Sequence, residues 1–196
     1  MRITARCSAQ TATGERATGE RPGGIVLVKK LAILLALFAT AASAETLKGR
    51  VVKVADGDTI TVLVTNVQHK VRLGGIDAPE KKQAFGEESR KKLASYVAGK
   101  DVEVEWRERD RYGRIIGRIW VDVPSADGKV TVRRDANLLM LNAGLAWHYR
   151  HFDKSKAYED AENAARRAKL GLWRDANPVP PWEFRKSSKG KSKPRL

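Results

Sequence analysis

The chain has 196 residues, which suffices for one ordinary domain with a leader and a tail but not for two independent hydrophobic cores. Its 38 Lys and Arg residues against 23 Asp and Glu residues give a net charge of +15, which favours polyanionic partners such as nucleic acid or anionic membrane surfaces. The only cysteine, Cys7, lies in an N-terminal segment that we expect to be removed as part of a leader, described next. The mature chain would then have no thiolate for a disulfide, for zinc or for nucleophilic catalysis.

Residues 1–44 have the features of a dispensable leader that ends in a secretory signal peptide. Two lysines at positions 29 and 30 precede an apolar run of about 11 residues, and an Ala-Ser-Ala sequence ending at Ala44 supplies the cleavage site. The apolar run is shorter than the roughly 20 residues that a membrane-spanning helix needs. We therefore expect cleavage after Ala44, export to the periplasm or the medium, and no stable membrane span after processing.

The segment that follows combines short strand patterns with helical patterns. Alternating β-prone residues predict about five strands, near residues 47–54, 59–64, 71–73, 102–105 and 115–123. Apolar residues at helical spacing, each series followed by glycine, predict three helices over residues 87–98, 135–143 and 157–168. This order indicates a mainly β fold with added α-helices, a five-stranded OB-type barrel with three packed helices, which we place at residues 45–175.

The last part of the chain, residues 176–196, has a different composition. Residues 177–182 read Asn-Pro-Val-Pro-Pro-Trp, which predicts an extended strap. Residues 185–196 are rich in lysine and serine and contain few apolar side chains, so we expect a basic, disordered tail.

Two aspartates stand where a hard cation could bind. Asp58 belongs to an Asp-Gly-Asp-Thr turn between two predicted strands, and Asp77 ends another strand. Together they offer two oxygen ligands to Ca²⁺ or Mg²⁺, and no histidine or cysteine lies with them to favour zinc. Taken alone, an Asp-Gly-Asp turn is also ordinary hairpin chemistry.

Three more charged residues, together with the two aspartates, form a candidate catalytic set. Arg72 points away from the face shared by its apolar neighbours, Arg114 opens a strand after a loop, and Glu80 follows a proline. Each is unremarkable by itself. With the two aspartates they meet the needs of phosphodiester hydrolysis: a cation site, two guanidiniums for the phosphate oxygens, and a carboxylate for the attacking water.

The motifs that contain these residues occur in a recognisable order. They are Asp56-Gly-Asp-Thr, Arg72-Leu-Gly-Gly-Ile-Asp77-Ala-Pro-Glu80, Asp110-Arg-Tyr-Gly-Arg114 and Gly144-Leu-Ala-Trp. Over about residues 47–173 the chain resembles the staphylococcal-type nuclease (thermonuclease) family of bacterial exported enzymes. The resemblance implies a monomeric, Ca²⁺-dependent endonuclease that cuts DNA and RNA by in-line attack of an activated water and leaves 3′-phosphate ends. Single-stranded or locally open regions are the expected substrates.

The resemblance also implies roles for individual residues. Asp58, Asp77 and the backbone carbonyl of Ala78 would bind Ca²⁺, while Arg72 and Arg114 would hold the scissile phosphate. The best-known family member has threonine at the position of Ala78, a difference that matters little if only the carbonyl binds the metal.

The remaining implied roles concern the water and the substrate. Glu80 would be the general base or would organise the attacking water. Arg111 and Tyr112 would lie beside the bound nucleotide. For a further substrate-contacting tyrosine the candidate is Tyr149, although the neighbouring Arg150 could serve instead.

Two other classes of function stay open from the sequence. An OB barrel could hold single strands without cutting them, and a basic envelope protein could adhere to anionic lipid. The presence of both aspartates, both arginines and the glutamate favours the enzyme.

Two further features have ordinary structural explanations. His148 and His151 lack a third nearby ligand, so we expect surface or packing residues there and not a zinc site. Trp147 and Trp173 each follow an apolar helical segment, which favours a packing role over base stacking.

Overall fold

The computed structural model describes residues 45–191. The predicted leader with its cleavage site, and residues 192–196 of the predicted tail, lie outside the described residues. Five strands form the barrel: β1 (Glu45–Val54), β2 (Thr59–Val64), β3 (Val67–Leu73), β5 (Asp101–Arg109) and β6 (Ile115–Pro124). Strand β1 pairs with β2 and β5, and the parallel pairing of β3 with β6 closes the cylinder. This topology confirms the predicted five-stranded OB-type barrel.

The barrel interior contains the apolar residues of the alternating patterns. Ile60 and Val62 in β2, and Val71 and Leu73 in β3, are completely buried, while Arg72 between them lies on the opposite face and is half-buried. Burying such β-branched and leucine side chains contributes about 1.5–3 kcal/mol each. Period two thus places the arginine on the outer face, as predicted.

Three short strands were not predicted. Strand β7 (Thr131–Asp135) pairs with β6 beside the barrel, and β4 (Ile76–Asp77) pairs with β8 (Trp147–His148) in a separate two-stranded ladder. The two-residue strands are too short for a periodic signal, because alternation needs at least four residues. The β4–β8 ladder places Asp77 opposite Trp147.

The three predicted helices are present within one or two residues of their predicted bounds. They are α1 (Gly86–Val97), α2 (Ala136–Asn142) and α3 (Lys156–Arg167), and a 3₁₀ helix follows at Gly171–Arg174. No helix of residues 45–191 has the length and apolarity needed to cross a membrane.

Two glycines after helices α2 and α3 let the chain pass very close to itself. Gly144 and Gly171 have φ values of 64° and 53°, and a Cβ on Gly171 would lie 2.2 Å from the carbonyl oxygen of Gly144. The amide of Leu172 donates a hydrogen bond to the same oxygen. Only glycine fits such a contact at positive φ, which explains both predicted helix stops.

The prediction for the C-terminal segment was wrong over residues 181–191. The structure has a fourth helix, α4 (Pro181–Lys191), in place of the expected end of a strap and start of a disordered tail. Pro181 is well suited to the first helical turn, and the Trp182 ring packs against Trp147 and Tyr149 at 5.6 and 5.4 Å between centroids. Tertiary packing of one tryptophan therefore orders a sequence whose composition suggested disorder.

The predicted packing role of Trp147 and Trp173 is confirmed. The two rings are buried and meet edge to face at 4.5 Å, in a cluster with Ala165 and Leu172. This cluster lies between helix α3, the 3₁₀ helix and helix α4.

Asp135 connects strand β7, helix α2 and helix α3. Its Oδ1 accepts hydrogen bonds from the amides of Asn137 and Leu138 as the N-cap of α2, and its Oδ2 accepts one from the hydroxyl of buried Tyr158 at 2.9 Å. Arg118 lies 3.3 Å from the same Oδ2. One carboxylate therefore satisfies several otherwise orphaned donors.

Removing this carboxylate should be costly. We expect Asp135→Ala to lower the free energy of unfolding by about 2–4 kcal/mol, since both the helix cap and the partner of a buried hydroxyl are lost. Urea unfolding followed by tryptophan fluorescence measures this. Asp122→Ala, at an exposed position of β6, should change the value by less than about 0.5 kcal/mol. Equal midpoints for the two variants would contradict this account of Asp135.

Candidate active site

The first acidic residue of the site is fixed by the turn between β1 and β2. Asp56 Oδ1 accepts a hydrogen bond from the Asp58 amide, and the Asp58 carbonyl accepts one from Leu73 at the end of β3. The Asp58 carboxylate accepts bonds from the amide of Ala78 (3.0 Å) and the hydroxyl of Thr59 (2.9 Å). These bonds hold Asp58 against the segment that follows β4.

Arg72 joins the two aspartates. Its Nη1 is 2.7 Å from Asp58 Oδ1, and its Nη2 is 2.7 Å from Asp77 Oδ1. Asp77 is completely buried and Asp58 is only 4% exposed. The structure thus places two carboxylates side by side below the surface, bridged by the guanidinium that the sequence predicted as a phosphate ligand.

The electrostatic surroundings of Asp58 are unfavourable for its negative charge. Burial raises the pKa of this carboxyl to about 7, against the opposing effect of Arg72, while Asp56 and Asp77 add to the increase. Loss of solvation on burial is the largest cause, and it outweighs the attraction of the neighbouring Arg72 guanidinium. An additional cation at this position would therefore stabilise the ionised form.

Arg114 is held by the loop between β5 and β6. Asp110 Oδ2 accepts a 2.7 Å bond from Arg114 Nε, and Oδ1 accepts bonds from the amides of Tyr112 and Arg114. Desolvation opposes the effect, but these hydrogen bonds lower the pKa of Asp110. Arg114 Nη1 also lies 3.4 Å from Thr59 Oγ1, which bonds to Asp58 and so connects this arginine to the acidic pair. Sequence reasoning missed Asp110, although its place four residues before Arg114 was a usable signal.

Glu80 is positioned by the turn that leads into α1. Its amide donates to Gln83 Oε1 at 3.1 Å, and its carbonyl accepts a bond from the Gln83 amide at 2.8 Å. A Cβ on Gly86 would lie 2.0 Å from the Glu80 carbonyl oxygen, so glycine permits this tight turn. The Glu80 side chain is half-buried at the edge of the cleft.

An arginine from helix α4 completes the cluster. Arg185 Nη2 lies 2.7 Å from Asp77 Oδ2, and its Nη1 lies 2.7 Å from Glu80 Oε1. Sequence reasoning placed Arg185 in a disordered tail and missed it, because no motif marks it and its contacts lie more than 100 residues away along the chain.

Apart from the completely buried Asp77, these charged groups line a cleft of about 1290 Å³, which also contains the predicted substrate-contacting residues. Tyr112 is 70% exposed, with the guanidinium of Arg111 5.0 Å from its ring. Tyr149 lines the cleft with its ring stacked on Trp182. Arg150, the alternative to Tyr149, instead pairs with Glu159 and Glu162 of helix α3. The geometry favours Tyr149 for contact with a ligand.

His148 and His151 have different surroundings. His148 is buried with its Nε2 3.1 Å from Asp153 Oδ1, whereas His151 is exposed. Across residues 45–191 no group of three His, Cys, Asp or Glu side chains is arranged to hold an ion. Around Asp58 and Asp77, arginine guanidiniums supply the compensating charge.

A closed OB-type barrel with an acidic, arginine-lined cleft is an architecture of the nuclease class, and comparison with known proteins gives the same class. The family model described as "Staphylococcal nuclease homologue" matches residues 70–175. An "Uncharacterized endonuclease" of Escherichia coli is 41% identical over 157 residues, which cover 80% of this chain and 97% of that protein.

Two further relatives extend the comparison. A "Micrococcal nuclease" of Shigella flexneri is 38% identical over 168 residues, covering 84% of this chain and 95% of its own length. A "Staphylococcal-like nuclease" of Arabidopsis thaliana is 40% identical over 121 residues, covering 62% of this chain and 34% of that protein. The chain therefore belongs to the staphylococcal nuclease family, which confirms the resemblance seen in the motifs.

Proposed function

We propose that the protein is an endonuclease that hydrolyses phosphodiester bonds of DNA and RNA with Ca²⁺ as cofactor, leaving 3′-phosphate ends. The observation that carries this proposal is the convergence of Asp58, Arg72, Asp77, Glu80 and Arg114 around one cleft. Family membership supports endonuclease activity on nucleic acid.

The donor set fits a hard divalent cation. Asp58 and Asp77 offer buried carboxylate oxygens that Arg72 holds close together, and hard divalent cations prefer such ligands. The amide of Ala78 already binds Asp58, which leaves its carbonyl as the proposed third ligand. When bound, Ca²⁺ would neutralise the phosphate and the charge that develops on it during attack.

The chain's own residues would do the remaining chemistry. Arg72 and Arg114 bind the non-bridging phosphate oxygens and stabilise the charge gathering there. A Glu80 carboxylate oxygen positions the attacking water and accepts its proton. The water oxygen bonds to phosphorus in line with the 5′-oxygen, whose bond to phosphorus breaks. The departing 5′-oxygen takes up a proton from solvent, so a 3′-phosphate and a 5′-hydroxyl are released.

The surroundings of the cleft suggest how the substrate is held. The rings of Tyr112 and Tyr149 offer surfaces for nucleobases, with the Arg111 guanidinium beside Tyr112. Bases can stack on aromatic side chains only when they are unpaired, so we propose a preference for single-stranded or locally open regions. We further propose that the enzyme acts as an exported monomer.

A plasmid-nicking assay with and without a calcium chelator tests the function. We expect nicking in Ca²⁺, loss of nicking by at least about 100-fold in EGTA, and recovery when Ca²⁺ is added back. Asp77→Asn, purified in the same way, controls for contaminating nucleases. Direct labelling of the new ends by polynucleotide kinase, without prior dephosphorylation, reports the expected 5′-hydroxyls.

Two results would contradict the proposal. Nicking that is insensitive to EGTA would remove the metal from the mechanism. Retention of single-stranded DNA without any cutting would support the alternative of a non-catalytic OB binding module.

A further inference from the structure

The guanidinium of Arg185 occupies the acidic centre formed by Asp77 and Glu80. Arg185 donates hydrogen bonds to both oxygens of Asp77, at 2.7 and 3.2 Å, and to Glu80 Oε1 at 2.7 Å. These are the two carboxylates to which the proposed function gives metal binding and water activation. The guanidinium thus holds the metal ligand and the proposed base at the same time.

Two independent contacts fix the segment that carries Arg185. The side-chain Nε2 of Gln83 donates a 2.6 Å bond to the carbonyl of Val179, and Oε1 of the same side chain accepts a bond from the backbone amide of Glu80. Trp182 stacks on Tyr149 with 9° between the ring planes and meets the edge of Trp147. The helix therefore rests on the same turn that positions Glu80 and on the substrate side of the cleft.

Arg185 and a metal ion would compete for the same carboxylate, that of Asp77. Asp77 Oδ1 is shared by Arg72 and Arg185, and its Oδ2 is bonded by Arg185. Asp77 Oδ2 keeps one lone pair, but a cation that bound there would lie beside the positively charged Arg185 guanidinium and would repel it. Arg72 lies deeper, at 18% side-chain exposure, whereas Arg185 is 38% exposed and can swing into solvent.

We propose that Arg185 is an intramolecular competitor of the divalent cation: in the free protein it occupies Asp77 and Glu80, and metal binding displaces it together with helix α4. This inference rests on the proposed function, because it takes Asp77 as a metal ligand and Glu80 as the residue that handles the attacking water. The exchange would leave Glu80 unpaired only when the metal is bound.

Direct binding of Ca²⁺ alone to the full chain, measured by isothermal titration calorimetry, tests the exchange. We expect Arg185→Gln, which keeps hydrogen-bonding capacity but loses the charge, to bind Ca²⁺ at least about tenfold more tightly than the unmodified chain. Arg185→Lys, which keeps the charge, should lie closer to the unmodified chain.

The matched control is the next residue of the same helix. Lys186→Gln removes the same charge, and among residues 45–191 no carboxylate lies within ion-pair distance of Lys186, so we expect less than a twofold change in affinity. Hydrogen exchange gives a second readout. Saturating Ca²⁺ should speed exchange of the α4 amides in the unmodified chain, and Arg185→Gln should show fast exchange even without Ca²⁺.

The outcomes separate this inference from the proposed function. Equal, measurable Ca²⁺ affinities for the unmodified chain and Arg185→Gln overturn the inference and leave the nuclease proposal intact. If Arg185→Gln binds Ca²⁺ more tightly but the unmodified chain does not cut nucleic acid, the exchange is supported and the nuclease proposal is contradicted. No Ca²⁺ binding by either chain overturns both, and unchanged α4 exchange on metal binding overturns the displacement.

Discussion

Glu80→Gln is expected to lower kcat for phosphodiester cleavage by about 10²–10⁴-fold. The substitution removes the only proposed proton acceptor while it keeps the size of the side chain. Glu80 is attached to the turn into α1 through its backbone, by bonds to Gln83, so the turn should survive the change. Single-turnover cleavage of a labelled oligonucleotide, with the far-UV circular dichroism spectrum as a check of folding, measures the effect.

Glu45→Gln makes the same chemical change at an exposed position at the start of β1 and should leave kcat within about twofold. A Glu80→Gln enzyme that keeps more than a third of the normal kcat would show that another group or the solvent takes the proton.

Arg114→Ala is expected to lower kcat/KM by about 10²–10³-fold, since one of two guanidiniums that stabilise the phosphate charge is lost. Arg114→Lys should recover little of this, because Asp110 fixes the guanidinium through Nε and an ammonium cannot present the same planar pair of donors. The free energy of unfolding should change little, since the side chain is outside the apolar core.

Arg133→Ala provides the comparison for loss of general positive charge. Arg133 pairs with Glu103 on the outside of the sheet and is half exposed. The Arg133→Ala substitution should change kcat/KM by less than about threefold at moderate salt, where exposed charges are screened. If Arg133→Ala and Arg114→Ala lowered kcat/KM equally, Arg114 would act only through the net charge of the protein.

Much of the fold could be predicted because local signals agree with the global structure. The barrel strands alternate apolar and polar residues, and glycines end the helices where the chain must take positive φ. The same regularity brought Asp58 and Arg72 together: β2 and β3 pair with Thr59 opposite Arg72, which places the preceding aspartate beside that arginine. The register of a hairpin depends on residues close together in the chain, so it can be predicted from the local sequence.

The parts that were missed depend on contacts between distant segments. Helix α4 contains lysines, serines and a glycine and has no apolar stripe, so only the packing of Trp182 on Tyr149 and Trp147 indicates it. Arg185 follows from that packing, since its position is set by the helix. The choice between Tyr149 and Arg150 likewise needed the location of helix α3, whose glutamates bind the arginine.

The parallel pairing of β3 with β6 has a consequence for the two arginines that we propose as phosphate ligands. Arg72 stands opposite Ile116, and Arg114 immediately precedes β6. The backbone hydrogen bonds between β3 and β6 therefore set the spacing of the two arginines. A shift of one strand against the other by two residues would change that spacing by about 7 Å along the strands. The pairing that closes the barrel would therefore also set the distance between the two proposed phosphate ligands.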